Sequence, residues 1–220
     1  MHVPYINIHT HNTFECTEHE FSIPNVIISK NYLTSSPCSL GIHPWYVESS
    51  TSAQIDALNE HGKKEHVLAI GECGLDKLCD TEWPVQQETF KKQIAFANTI
   101  QKPLIVHCVK AHQECLEMLK EEGVKVPVIF HGFEKNIALA QQIINAGFYI
   151  SLGPSLLNGK KDELILGLPL DKIFLETDDR SAKIIDVYAY FCAIRKMELP
   201  ELKNQLYRNF KNIFTYQLLK

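Results

Sequence analysis

The sequence predicts an α/β fold, a (β/α)8 barrel of the TIM type, as one domain over residues 1–220. Two patterns point there. Eight short runs rich in β-formers alternate with stretches of helical period, as parallel βα units do. Several of these runs are continuously apolar, as parallel strands covered on both faces must be. A third observation concerns chemistry. Five of the runs end on side chains able to ligate a metal, and strand C-termini converge on one face of a barrel.

The runs follow in order. Tyr5–His9 comes first, then Asn25–Ser29, Ser39–Ile42 and Val67–Gly71. Pro103–His107 and Pro127–His131 each begin on a proline, where a missing N–H does least harm to a ladder. Phe148–Leu152 and Ile173–Glu176 complete the eight. Between them, Phe90, Ile94 and Ala97 share one helical face. So do Cys115, Met118 and Leu119, and then Ile137, Ala140 and Ile144. Ile184, Val187, Tyr188 and Phe191 form another stripe, and Leu202, Leu206, Phe210, Ile213 and Phe214 the last. Gly123 and Gly147 suit the position just past a helix, and Pro200 suits a first turn. The interval from residue 29 to 39 is too short for a crossover helix, so the barrel is expected to be irregular near residues 29–40. A doubly wound open sheet is the alternative, but the Gly-rich first turn it uses is missing.

Composition excludes several classes. A chain of 220 residues with 45% hydrophobic and 22% charged content buries a core without needing disulfides or a structural metal. No apolar run approaches the roughly 20 residues of a membrane span. The first residues show no secretory signal. A net charge of −4 argues against coating nucleic acid by charge alone. It leaves room for a nuclease that holds phosphates through metal ions. Seven cysteines (Cys16, Cys38, Cys73, Cys79, Cys108, Cys115 and Cys192) form no C-x-x-C pair. Small buried hydrophobes in a reducing cytoplasm are the expectation for them. No membrane and no obligate protein partner are expected.

The five chemically loaded run ends are these. In His9-Thr10-His11, residues i and i+2 of an extended strand point the same way, so both imidazoles can reach one divalent ion. In Ala69-Ile70-Gly71-Glu72-Cys73-Gly74-Leu75-Asp76, an apolar strand meets an acid between two glycines, residues that permit tight turns or close backbone approach. His107 and His131 each terminate a buried-looking strand. Leu175-Glu176-Thr177-Asp178-Asp179 again runs from apolar to acidic, with Glu176 and Asp178 on one side of an extended chain and Asp179 suited to a helix N-cap. Any one of these reads equally well as a polar strand end; five in one chain do not. His9, His11, Glu72, His107, His131 and Asp178 are too many for one tetrahedral ion with an open position. They suit two divalent ions about 3.5–4 Å apart with Glu72 shared, an arrangement for phosphoester, amide or ester hydrolysis. Imidazoles favour Zn, Mn, Co or Ni over Mg.

In order along the chain, His9-Thr10-His11, Gly41-Ile42-His43-Pro44-Trp45, Ile70-Gly71-Glu72-Cys73-Gly74-Leu75-Asp76, Leu104-Ile105-Val106-His107, Phe130-His131-Gly132-Phe133, Leu175-Glu176-Thr177-Asp178 and the late Asn209-Phe210 make an ordered set. This set resembles the TatD family of metal-dependent deoxyribonucleases, within the amidohydrolase superfamily. The resemblance implies a TIM-type barrel that cleaves DNA phosphodiesters. It implies one metal on His9, His11, Glu72 and Asp178 and another on Glu72, His107 and His131. It makes Asp178 the group that accepts the proton of the nucleophilic water. It puts His43 near the substrate phosphate and Asp76 in support of the ligands. The chain is shorter than is usual for the family. It also carries Lys110 near a usual Arg, Arg180 at a usual Pro, and Gly-Phe-Glu after His131. Those departures bear on the substrate groove. Lys110 and Arg180 read as phosphate clamps or as solvated charge. Trp45 and Tyr46 read as base-stacking residues or as packing at the barrel mouth. His2, His19, His61, His66 and His112 read as surface or structural. A small phosphoester, amide or lactone substrate on the same centre is the alternative activity, and the H-x-H alone fits a PHP-type phosphoesterase equally well. A metal-binding or scaffolding barrel without activity is the third reading.

Overall fold

The computed structural model describes residues 3–12, 19–28, 35–48 and 51–216. His2, Cys16 and Ser29 lie outside them. Eight strands pair in chain order. They are β1 (Tyr5–Thr10), β2 (Glu20–Ile27), β3 (Cys38–Gly41), β4 (Val67–Asp76), β5 (Leu104–Val109), β6 (Val128–Phe130), β7 (Tyr149–Leu152) and β8 (Ile173–Leu175). The pairings of β1 with β2, β2 with β3, β3 with β4, β4 with β5 and β7 with β8 are parallel. Seven α-helices are described: α1 (Thr51–His61), α2 (Trp83–Ile100), α3 (His112–Glu121), α4 (Ile137–Asn145), α5 (Asp162–Gly167), α6 (Ile184–Arg195) and α7 (Leu199–Ile213). The fold class is the (β/α)8 barrel that the alternation predicts.

All eight predicted strands exist, with two shifts that matter. Strand β2 starts at Glu20, five residues ahead of the predicted Asn25. Strand β4 does not stop at Gly71 but runs on to Asp76, so Glu72 and Asp76 belong to the strand itself. Helices α1 and α5 carry no stripe clear enough to predict. Gly123 (φ +58°) and Gly147 (φ +93°) stand just past α3 and α4 as expected. Within the stretch expected to be irregular, residues 29–34 lie outside the described ones, and the β3–β4 register shifts between Cys38 and Ser39.

The chain forms two compact units, residues 25–129 and the remainder. In the first, the continuous apolar strands fill the interior: Leu40, Val67, Ala69, Ile70, Leu104, Ile105 and Val106 are buried. Helix α2 lays Phe90, Ile94 and Ala97 on them, Phe90 and Ile94 each contributing about 1.5–3 kcal/mol by leaving water. The same helix buries two glutamines. Gln93 accepts from the Ile42 N–H (2.8 Å) and donates to its carbonyl (3.0 Å). Gln86 does the same for Asp76 (2.9 and 3.0 Å). Each caps strand backbone that the ladder leaves unpaired.

In the second unit, Ile6, Ile8, Ile150, Leu152, Ile173, Phe174 and Leu175 form the core. Val187, Tyr188 and Phe191 of α6 and Leu202, Leu206, Phe210 and Ile213 of α7 cover it, as their stripes predict. Cys38, Cys73, Cys115 and Cys192 are buried and Cys79 and Cys108 are partly so; Cys73, Cys79, Cys108, Cys115 and Cys192 are free thiols. No helix among the described residues is long and apolar enough to cross a membrane.

Candidate metal centre

In the unit of residues 25–129, the ladder register builds a cluster. Gly74 pairs with His107 across β4 and β5. Glu72 and Asp76 flank Gly74 at i−2 and i+2, on one face of β4, so the two carboxylates straddle the His107 ring. Its Nδ1 lies 2.8 Å from Glu72 Oε1 and its Nε2 lies 3.1 Å from Asp76 Oδ2. Only glycine permits this approach. A Cβ on Gly74 would stand 2.1 Å from the His107 carbonyl oxygen, and one on Gly71 would stand 2.4 Å from that of Ile105. Both residues have φ in the range that L side chains rarely adopt, +138° and +151°. The sequence pattern suggested turns or close approach here; the structure shows close approach within a strand.

The His43 Nε2 lies 3.1 Å from the same Glu72 oxygen. The Trp45 main-chain N–H donates to His43 Nδ1 at 3.0 Å. That nitrogen is therefore unprotonated, and the proton of the neutral ring sits on Nε2, facing Glu72. Asn25 fixes Glu72 from the other side. Its Nδ2 donates to Glu72 Oε2 (3.1 Å) and its Oδ1 accepts the Glu72 N–H (2.8 Å). Burial alone would raise the Asp76 carboxyl pKa. Hydrogen bonds from His107, the Trp45 indole and the Leu78 N–H outweigh it and hold the group down to about 2. Asp76 is thus a fixed negative charge beneath His107.

The second unit gathers its own cluster through backbone. The His9 carbonyl accepts the N–H of Thr177 (3.3 Å) and of Asp178 (3.1 Å), and the His11 N–H donates to the Asp178 carbonyl (3.0 Å). Thr10 and Asp178 form a parallel bridge. A buried polar chain beneath it joins Asn7 Nδ2 to Thr177 Oγ1 (3.0 Å) and Thr177 Oγ1 to Thr10 Oγ1 (3.0 Å). Asp178 takes a left-handed φ of +54°, uncommon for a residue with a side chain and a recurrent feature of functional sites. Its Oδ1 lies 3.6 Å from His9 Nε2 and 3.5 Å from His11 Nε2. The His131 ring is 4.2 Å from that of His9, centroid to centroid.

Two sets of donors therefore converge within units: His43, Glu72 and His107, and His9, His131 and Asp178, each with ligand atoms within 4.8 Å of one another. In donor chemistry Glu72 and His107 of the first set and all three residues of the second suit a divalent ion; His43, with Nδ1 accepting the Trp45 N–H and Nε2 protonated, has no lone pair left for one. The 3.5–3.6 Å separations around Asp178 also match the roughly 3.4 Å edge of a tetrahedron with bonds of about 2.1 Å.

A family model described as TatD related DNase matches residues 10–215. The chain belongs to this family. It is 28% identical over 195 residues to an uncharacterized metal-dependent hydrolase of Buchnera aphidicola, covering 80% of this chain and 73% of that one. It is 31% identical over 144 residues to the 3'-5' ssDNA/RNA exonuclease TatD of Klebsiella pneumoniae, covering 63% of this chain and 55% of that enzyme. The crystal structure of YjjV, a TatD homologue from Escherichia coli, superposes with a TM-score of 0.85 at 21% identity, over 99% of this chain and 100% of that one. The fold of this TatD-family hydrolase is thus shared, and the candidate metal ligands lie on or just past its strands, where a TIM barrel carries its chemistry.

The other charged candidates sit differently. Lys110 is exposed with φ +52°, and Arg180 is exposed and pairs with Asp179 at 3.3 Å. His19 is exposed, while His61, His66 and His112 are partly buried. Two supporting residues escaped the sequence reading. Asn25 is one; a lone asparagine at a strand start gives no signal of the carboxylate it will hold. Glu176 is the other. It is fully buried, accepts the Gly132 N–H at 2.6 Å and lies 3.5 Å from His131 Nδ1. The i, i+2 relation to Asp178 noted its side but not its partner.

Proposed function

We propose that this protein is a metal-dependent hydrolase that cleaves phosphodiester bonds of DNA from a strand end, using two divalent ions. The observation that carries this reading is the pair of donor clusters, each combining imidazole and carboxylate within one unit. His9, His11, His131 and Asp178 would hold one ion and Glu72 and His107 would contribute to the other, with Zn, Mn, Co and Ni preferred by imidazole and Mg the harder alternative. Such ions would neutralise phosphate charge and lower the pKa of a water. Asp178 would accept the proton of that water. Glu72, anchored by Asn25, keeps its oxygens aimed. His43, whose Nε2–H faces Glu72, would turn that proton to a phosphate oxygen when substrate is bound. The name of the Klebsiella relative supports a nucleic-acid substrate. The single family match running 10–215 supports one hydrolase domain over 1–220, and the free thiols are in keeping with a reducing cytoplasm.

The test is hydrolysis of end-labelled single-stranded DNA by metal-stripped protein with Mn²⁺, Mg²⁺ or Zn²⁺ restored. Cleavage should return with metal, and Asp178→Asn should lower it by about 10²–10⁴-fold with the fold intact by circular dichroism. A variant with full activity would remove Asp178 from its role. No cleavage with any metal, in protein that binds about two ions, would move the substrate to a small phosphoester or amide.

A further inference from the structure

The metal clusters account for the buried polar groups of β4 and β5. They do not account for Trp45. This indole is 57% exposed, and Tyr46 (51%) and Leu78 (64%) beside it are exposed too. Yet Trp45 is not a loose surface residue. Its Nε1–H donates to Asp76 Oδ2 at 2.6 Å, and the other oxygen of that buried carboxylate accepts the Leu78 N–H at 2.7 Å. Its ring centroid lies 5.3 Å from that of His43 and 6.1 Å from that of His107. The flat ring is therefore locked at its polar edge, open to solvent, and set against two imidazoles of a candidate metal cluster.

We infer that the open face of Trp45 is a stacking platform for a nucleobase next to the scissile phosphate; the inference rests on the phosphodiesterase reading above. Three features select that ligand. The indole N–H is already used, so the ring offers its π-face and no hydrogen-bond readout. A planar aromatic face suits a planar base, and stacking of this kind tolerates any base. The neighbouring imidazoles and Glu72 place phosphodiester chemistry one ring away. The Asp76 anchor keeps the ring from collapsing onto the protein, so little conformational entropy is lost when a base arrives. Trp45 acts here as a specificity residue, binding the base and not the reacting atoms.

The experiment compares a short oligonucleotide with the same backbone carrying abasic sites beside the cleaved bond, for wild type, Trp45→Phe and Trp45→Ala. Wild type should favour the base-bearing substrate by about 5- to 150-fold, expressed in KM more than in kcat. Trp45→Phe should keep most of that preference, and Trp45→Ala should lose it. Any damage from losing the Asp76 hydrogen bond falls on both substrates and cancels in the ratio. A second measurement uses Trp83→Phe protein without metal, in which Trp45 is the sole tryptophan. Its fluorescence should be quenched by the oligonucleotide and not by the abasic strand. If wild type cleaves DNA but Trp45→Ala keeps the full preference, or Trp45 emission does not respond, the platform is wrong and the phosphodiesterase reading stands. If wild type neither cleaves nor binds the oligonucleotide, both fall together.

Discussion

The two donor clusters are built by opposite means. Around Glu72, the donor groups touch each other directly, at 2.8 and 3.1 Å, and side chains from several elements pin them: Asn25, Asp76 and, through Asp76, Trp45. Around Asp178, the donor groups stand apart at 3.5–3.6 Å, and backbone does most of the positioning, through the Thr10–Asp178 bridge and the left-handed turn at Asp178, with the Asn7–Thr177–Thr10 bonds beneath. One cluster is set by side-chain wiring over a tight strand pair. The other is set mainly by the backbone bridge between the end of β1 and the turn that follows β8. The first should therefore fail when a strand contact or a wire is broken, and the second should tolerate side-chain loss outside its own ligands.

The harshest test of the first is Gly74→Ala. The new Cβ would meet a backbone oxygen that has no flexible end to move, at a φ that strains any L residue. Overpacking and strain together cost roughly 2–6 kcal/mol. Gly123→Ala is the control, since its φ is also positive (+58°) but nothing lies within 4 Å of the added carbon. Thermal denaturation should show a loss for Gly74→Ala several times that for Gly123→Ala. Equal losses would mean that conformation alone, and not the β4–β5 approach, makes glycine necessary. A gentler cut is Asn25→Ala, which removes the two bonds that aim Glu72. Divalent-ion affinity by titration calorimetry should fall about 10- to 100-fold, and the melting temperature by roughly 2–12 °C as the buried Glu72 N–H loses its partner. Unchanged affinity would show that His43 and His107 hold Glu72 unaided.

This division explains what the sequence disclosed. Ligand types and their strand-end positions were legible because His9, His107 and His131 each follow an apolar run with a period that names a strand. Glu72 is legible as an acid past a strand, but the strand itself runs five residues beyond the predicted Gly71, because Gly71 and Gly74 read as punctuation. They are instead the residues that let β4 continue beside β5. The supports were not legible. Asn25 and Gln86 act at separations of 47 and 10 residues, and no local period marks such a partner. Gln86 and Gln93 are buried alongside the predicted Phe90, Ile94 and Ala97 of α2 because strand ends need hydrogen bonds more than they need another methyl. Helix α1 stayed hidden since only Gln54 and Leu58 of its eleven residues are buried, too few to print a stripe.

The smallest effect expected at a cluster comes from Tyr188→Phe, and it sharpens the contrast from the other side. Tyr188 is wholly buried, and its hydroxyl both accepts the Ile6 N–H and donates to the Ile6 carbonyl, each at 3.0 Å. In a strand, the N–H and C=O of one residue face the same neighbour, so this hydroxyl stands in for a paired strand along that stretch of β1. Burial pushes its phenol well above the usual range, with the Ile6 hydrogen bond opposing, so it stays a neutral donor and acceptor at all working pH. Phenylalanine keeps the edge-on contact with Tyr5 (5.0 Å) and the volume, and deletes only the two bonds. Two buried backbone groups then lack partners, at about 1–3 kcal/mol, which lowers the melting temperature by roughly 2–12 °C in a chain of this size. Yet His9 lies three residues further along β1, where the bridge from Thr10 to Asp178 holds the strand independently. Ion affinity and turnover should therefore match wild type below the new melting temperature. A loss of ion affinity at 25 °C would mean that the Asp178 cluster depends on side-chain wiring after all, and the two clusters would no longer differ in kind.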